Sequence, residues 1–318
     1  LARFAPLLAA LAWAVYVPSM AMAKVINKEN LMVPLMLALV WIALVWPTSR
    51  RRIALAALAG LLAGLLAFTG ATGCAVAGVL LIVMLVYSVN WRQYAVATGT
   101  LLFTFLLVIV PWAYRNYTVL GAPVLFTNAG FNLYLCHNPA ATGWYLSIGE
   151  TPMAADWGRI KAEGGEVAAD REAARRAFAY MREYPGRTLA MFAKKAVIFW
   201  EPPYLTSNEP ESIVKRIARY VWFTEYLVLI ALALAGLRTV RRTWPLYLAI
   251  ALFAAIHVPF VFMLRYRLPV MALLSVCAFL TVVRNAQTQR RELGAGSWGI
   301  GDRSWELEDR RGGRKKHA

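Results

Sequence analysis

PWAYRNYTVLGAPVLFTNAGFNLYLCHNPAATG, residues 111–143, closes a long apolar run and opens the longest polar segment of the chain. It carries the Arg115–Asn116 pair, then Asn128, Asn132 and Asn138, with Gly121, Gly130 and Gly143 between and after them. The residues before it read as membrane, and most of those after one polar insert read as membrane again. A polar, glycine-punctuated stretch at a membrane face is where a binding site is expected. Asn carboxamides and glycine-exposed backbone amides suit hydroxyl-rich ligands. The same residue types also serve as turns and helix caps.

Composition agrees with that frame. The chain is 60% hydrophobic and 16% charged, with a mean hydropathy of +0.52. Several apolar runs approach bilayer-spanning length. The fold class is therefore all-α: a polytopic membrane protein of about eight transmembrane helices, one extracytoplasmic insert and an interfacial helix. The net charge of +17 lies mostly in short loops between apolar runs, as the positive-inside rule requires, so the bilayer and not nucleic acid is the implied partner. Cys74, Cys136 and Cys277 have neither metal nor disulfide spacing, and His137 beside Cys136 has no partner at ligand distance in sequence.

Residues 1–112 hold five runs: 4–23 with Pro18 as a kink, 31–46, 53–69, 74–89 and 94–112. Runs 53–69 and 74–89 are each about 24 Å long as helices and read either as two short crossings or as a re-entrant hairpin. The insert spans 113–187, with a loop over 151–165 and a soluble helix over 166–184 that pairs Glu172 with Arg176 and stops at Pro185. Residues 188–219 form an interfacial amphipathic helix and a link. Leu189, Phe192, Ala193, Ala196, Phe199 and Trp200 share one face, with Lys194 and Lys195 turned to lipid headgroups. Residues 220–283 hold three more spans, 220–237, 244–264 and 268–283. The basic tail, 284–318, reads as disordered.

Simple alternation gathers Arg50–Arg52, Arg92, Arg238–Arg242 and Arg284–Arg291 on one side, taken as cytoplasmic together with both termini. It gathers Lys28, Glu29, Arg115, Asn116, the insert, Arg265, Tyr266 and Arg267 on the other, with His257 about two turns inside its helix end. Arginine forks match phosphate, so these cations point to a lipid-linked phosphate with a polar headgroup. Arg115, Arg265 and Arg267 also fit as snorkelling anchors, and His257 as a neutral interhelical hydrogen bond.

The opening stretch resembles a pattern of the bacterial integral-membrane glycosyltransferases in the dolichyl-phosphate-mannose protein mannosyltransferase superfamily, which includes the aminoarabinose transferases. The matching pieces are Pro111-Trp112…Arg115-Asn116-Tyr117, Thr127-Asn128-Ala129-Gly130-Phe131-Asn132-Leu133-Tyr134 and Asn138-Pro139…Thr142-Gly143. Lys28-Glu29-Asn30-Leu31, Gly60 to Thr69, Tyr184 to Trp200, and His257 with Arg265-Tyr266-Arg267-Leu268-Pro269 are similar in the same order. Cys136-His137 stands where that family usually has Gly-Asn, and Gly70-Ala71 where it often has Arg-Pro. The resemblance implies a GT-C architecture and an enzyme of the bacterial inner membrane. It would move a sugar from a polyprenyl-phosphate donor to a lipid, glycan or protein acceptor on the extracytoplasmic face. Arg265, Arg267 and Arg115 would hold the donor phosphate. Asn116, Asn128, Asn132 and Asn138 would shape the sugar or acceptor loop, with Lys28, Glu29, His257 and Tyr266 in support. No catalytic residue is assigned: the general base is expected in an N-terminal loop upstream of these residues. No cofactor is assigned, and a divalent metal is left open. A non-catalytic lipid-phosphate binder and a transporter are the alternatives.

Overall fold

The structure is a computed structural model and describes residues 5–203, 210–237, 243–260 and 263–301. The cations at 238–242, the start of the 208–219 link and the tail beyond 301 lie outside the described residues. Twelve helices follow one another among the described residues: α1 (Ala5–Val15), α2 (Val17–Ala23), α3 (Lys28–Val45), α4 (Arg52–Thr69), α5 (Ala75–Tyr87), α6 (Trp91–Leu120), α7 (Ala129–Cys136), α8 (Ala154–Glu183), α9 (Pro185–Trp200), α10 (Ile213–Gly236), α11 (Trp244–His257) and α12 (Leu268–Gly301).

Five helical segments, beginning at Lys28, Arg52, Trp91, Ile213 and Arg265, are long and apolar enough to cross a membrane; α5 and α11 are shorter apolar helices. The first expected crossing is broken at Tyr16, the bend falling just before Pro18. Peripheral helices leave large apolar side chains uncovered, among them Phe103, Leu107 and Val110 on α6 and Val221, Val228 and Leu234 on α10. A water-soluble surface rarely carries patches of that extent, whereas lipid covers them at no cost.

α3 is the hub and packs on α4, α5, α11 and α12, with Leu39 and Ile42 on it and Trp46 just after it fully buried. The α4–α5 hairpin runs the full length of α3. At one end Arg52 donates to the carbonyls of Pro47 (3.1 Å) and Tyr87 (3.2 Å); at the other, a β-carbon on Gly70 would lie 3.3 Å from Lys28 Nζ. The hairpin thus reaches both ends of α3, with α4 long and apolar enough to cross a membrane and α5 a shorter apolar helix. α4 meets α6 at close range through Gly60 and Gly64, one turn apart on the same face.

Several boundaries differ from the expected ones. α6 does not stop at Trp112 but continues through Arg115 to Gly121, whose φ of 70° closes the helix and whose N–H donates to Tyr117 O. Residues 154–164 are helical rather than loop, and α8 is interrupted at Gly165 (φ 71°). Its first half is tied to the second by Arg176, which bonds both Asp156 (2.9 Å) and Glu172 (2.8 Å). α11 ends at His257 rather than Leu264, because Pro259 follows within one turn. α12 continues past Val283 to Gly301, through the first part of the tail expected to be irregular.

Candidate functional site

The starts of α3 and α12 and the end of α11 meet at the end of the bundle away from Arg52. α12 is preceded there by a short 3₁₀ turn, Leu264–Arg267. Tyr266 lies between two cations: Lys28 Nζ and the Arg265 guanidinium are each 5.5 Å from its ring centre. His257 stands 5.6 Å from the same ring, closed in by Phe253 (4.5 Å) and Phe199 (6.0 Å), and its Nδ1 contacts Phe253 O at 2.7 Å. It is thus the last residue of α11, held locally, and not two turns inside the helix.

Glu29 is only 1% exposed, and both carboxylate oxygens lack a hydrogen bond; its nearest cation is Arg265, with Nε 3.8 Å from Oε1. Buried carboxylates without hydrogen bonds are costly, which makes this one a candidate functional position. It lines a cavity of about 600 Å³ together with Trp13, Ser19, Asn30, Val33 and Leu268. Lys28, Glu29, Arg265, Tyr266 and His257 are therefore brought together as the sequence suggested.

Arg267 and Arg115 are not part of that group. Arg267 is 5% exposed, donates to Glu201 O and stacks over Tyr226 at 5.5 Å, while Tyr226 donates to Trp200 O at 2.7 Å. It fastens the end of α9 to α10 and α12. Arg115 rests on Trp112 at 5.2 Å and donates to Asn116 Oδ1, and Asn116 Nδ2 donates to Val124 O at 2.6 Å. That pair folds the chain back after α6. Among the described residues no contact joins Arg115 to Lys28, Glu29 or Arg265.

The asparagines divide likewise. Asn138 is buried, donates to Tyr134 O and Leu135 O and accepts from Ala140 N–H, so it closes α7. Asn128 precedes α7 and is exposed, and Asn132 is half-buried on it. Gly130 serves packing: a β-carbon there would lie 2.1 Å from Asp170 O on α8, and Asp170 Oδ1 accepts from Phe131 N–H. Residues 111–143 are thus a helix end, a turn and α7 docked on α8.

One cluster was not foreseen. Lys195 was expected to face lipid headgroups, yet it is 2% exposed and donates to Val258 O at 2.9 Å. His137, equally buried, contacts Pro259 O through Nε2 at 2.9 Å and lies against Phe192. The two side chains thus grip adjacent carbonyls in the segment just after His257. The face of α9 turned to the protein carries Thr188, Lys195, Ile198 and Phe199. Leu189, Ala193, Ala196 and Trp200, expected on one apolar face with Phe199, are instead uncovered, with Lys194 exposed beside them. The spacing 188, 195, 199 held that signal, but a lysine in it reads as surface.

Burial and the neighbouring Lys195 cation push the His137 imidazole down to about 4, and burial lowers the Lys195 ammonium. A histidine lowered on folding stays neutral while the unfolded chain takes up a proton. Stability from this group is therefore full above pH 6.5 and falls as pH drops toward 4, by up to about 3 kcal/mol. Thermal unfolding of purified protein between pH 7 and 4 should show this loss, and His137→Asn should flatten the profile. An unchanged slope in that variant would refute the assignment.

Among the described residues no group of three His, Cys, Asp or Glu side chains is placed to hold a metal. Comparison with known protein families, curated proteins and solved structures finds no match to this chain.

Proposed function

We propose that the protein transfers a sugar from a polyprenyl-phosphate donor to a lipid, glycan or protein acceptor at the extracytoplasmic face of a bacterial inner membrane, with the chain crossing about eight times. The observation that carries this reading is the cation pair Lys28 and Arg265, set about Tyr266 beside the Glu29-lined cavity, which is otherwise largely apolar. A cation pair beside a largely apolar cavity suits a phosphate on an isoprenoid chain, the cations meeting the charge and the cavity sheltering the chain. Glu29 would direct a sugar or acceptor hydroxyl, since its oxygens have lone pairs to spare. The general base that activates the acceptor is assigned, from the resemblance, to a carboxylate outside residues 1–318.

Binding tests the first half of this reading. Purified chain in neutral detergent should bind undecaprenyl phosphate and not undecaprenol; equal binding of the two would refute a phosphate site. Membranes carrying the chain with its upstream sequence should then consume polyprenyl-phosphate sugar. Tight binding without consumption would favour the non-catalytic binder.

A further inference from the structure

At the opposite end of the bundle, the link between α3 and α4 and the start of α6 border an open cavity of about 730 Å³ lined by Ser49, Arg50, Arg51, Arg52, Arg92 and Gln93 among others. No acid lines it. Arg52 is committed to the carbonyls of Pro47 and Tyr87, which fixes the floor. Arg50, Arg51 and Arg92 are exposed, and their side chains have no ion pair or hydrogen bond among the described residues. The positive-inside rule places arginines on one side of a membrane. It does not gather them around one concavity with no counter-charge.

The two helix starts beside the cavity are finished differently. α6 is capped: Asn90 Oδ1 accepts from Gln93 N–H and Gln93 Oε1 accepts from Val89 N–H. α4 has Arg51 at its N-cap with no side-chain cap, and its first-turn residues Ile53 and Ala54 line the cavity. Its first N–H groups thus lack side-chain acceptors and add to the field of the arginines. The remaining wall is apolar and lipid-exposed, with Ile53 and Val96 uncovered and Leu58 and Leu61 continuing it along α4. A soluble anion has no use for such a wall, whereas a lipid does.

We propose that this cavity binds the headgroup of an acidic membrane phospholipid with two phosphates, its acyl chains lying along α4 and α6. The arginines converge on the phosphates and the open first turn of α4 donates backbone hydrogen bonds. The site is independent of the sugar-transfer reading, which concerns the other end of the bundle.

The test uses the full chain in neutral detergent, with tetraoleoyl cardiolipin, phosphatidylcholine and inorganic pyrophosphate as probes. Cardiolipin should raise the unfolding temperature saturably and remain bound in native mass spectra, with phosphatidylcholine inert. Replacing Arg50, Arg51 and Arg92 by glutamine should weaken cardiolipin binding about fivefold each and about a hundredfold together. These side chains carry no contact, so the variant keeps the melting temperature of the unliganded protein. Pyrophosphate acting as well as cardiolipin would overturn the lipid assignment. A triple variant that still binds cardiolipin normally would overturn the site.

Discussion

Replacing Gly60 by alanine will destabilise the protein by about 3 kcal/mol or more, and replacing it by leucine will leave no monodisperse protein after extraction. A β-carbon at Gly60 would lie 2.0 Å from Thr104 Oγ1 and 2.2 Å from the Leu101 carbonyl oxygen. The threonine side chain can rotate away, but the carbonyl is part of α6 and cannot. The helices must part, which also lifts Gly64 from Val108, where a β-carbon would already be 2.6 Å from Val108 Cβ. Within lipid there is no hydrophobic gain in pressing helices together, so close van der Waals contact over small residues is what holds this pair. Two controls separate packing from a general intolerance of change. Gly99→Ala meets nothing within 4 Å and should be neutral or stabilise by up to about 1 kcal/mol. Adding Thr104→Ala to Gly60→Ala should restore little, because the carbonyl clash remains. Full recovery in that double variant would show that the contact is a movable side chain and that the packing argument is wrong.

The glycine pair shows how much was legible in the sequence. Gly60 and Gly64 stand four apart in an apolar run, a spacing that favours close helix contact but went unread, and which helix answers it is not in the run. Two helix ends were missed although their signals stand in the sequence: α6 runs past the expected Trp112 to Gly121, and α11 ends beside Pro259 rather than at Leu264. The polar residues were harder. Lys195 and Lys194 are adjacent and chemically identical, yet one is sealed against Val258 and the other is exposed. Only the partner surface decides which face of α9 is inside. Asn138 looked like a ligand-binding carboxamide for the same reason: a caller of hydroxyls and a closer of α7 have the same formula. What was legible of the site was the set of residues near the first turn of α3 and around Tyr266, because charge where the membrane disfavours it stands out in any register.

Arg265→Gln and Arg267→Gln should fail in opposite ways. The two arginines are two positions apart in a 3₁₀ turn of about three residues per revolution, so their side chains leave the turn in different directions. Arg265, with its side chain 40% exposed, points to Glu29 and Tyr266. Its loss should cut undecaprenyl phosphate binding about a hundredfold and should also lower stability, because the buried Glu29 loses its nearest cation, a cost that the nearby Lys28 limits. Arg267 is buried between Glu201 O and the Tyr226 ring. Removing it loses a charge-assisted hydrogen bond and a desolvated cation–π contact, together about 4 kcal/mol, and frees the end of α9. Arg267→Gln should therefore lower the melting temperature sharply, yet the protein that stays folded should bind the phosphate with affinity close to that of the parent. Arg267→Lys should rescue part of the stability, because the cation can still lie over Tyr226, but not the planar fork. Measuring melting and lipid-phosphate affinity on all three variants decides the matter. If Arg267→Gln melts like the parent and loses binding, the turn presents both arginines to the ligand, and the division of roles drawn from Glu201 and Tyr226 is wrong.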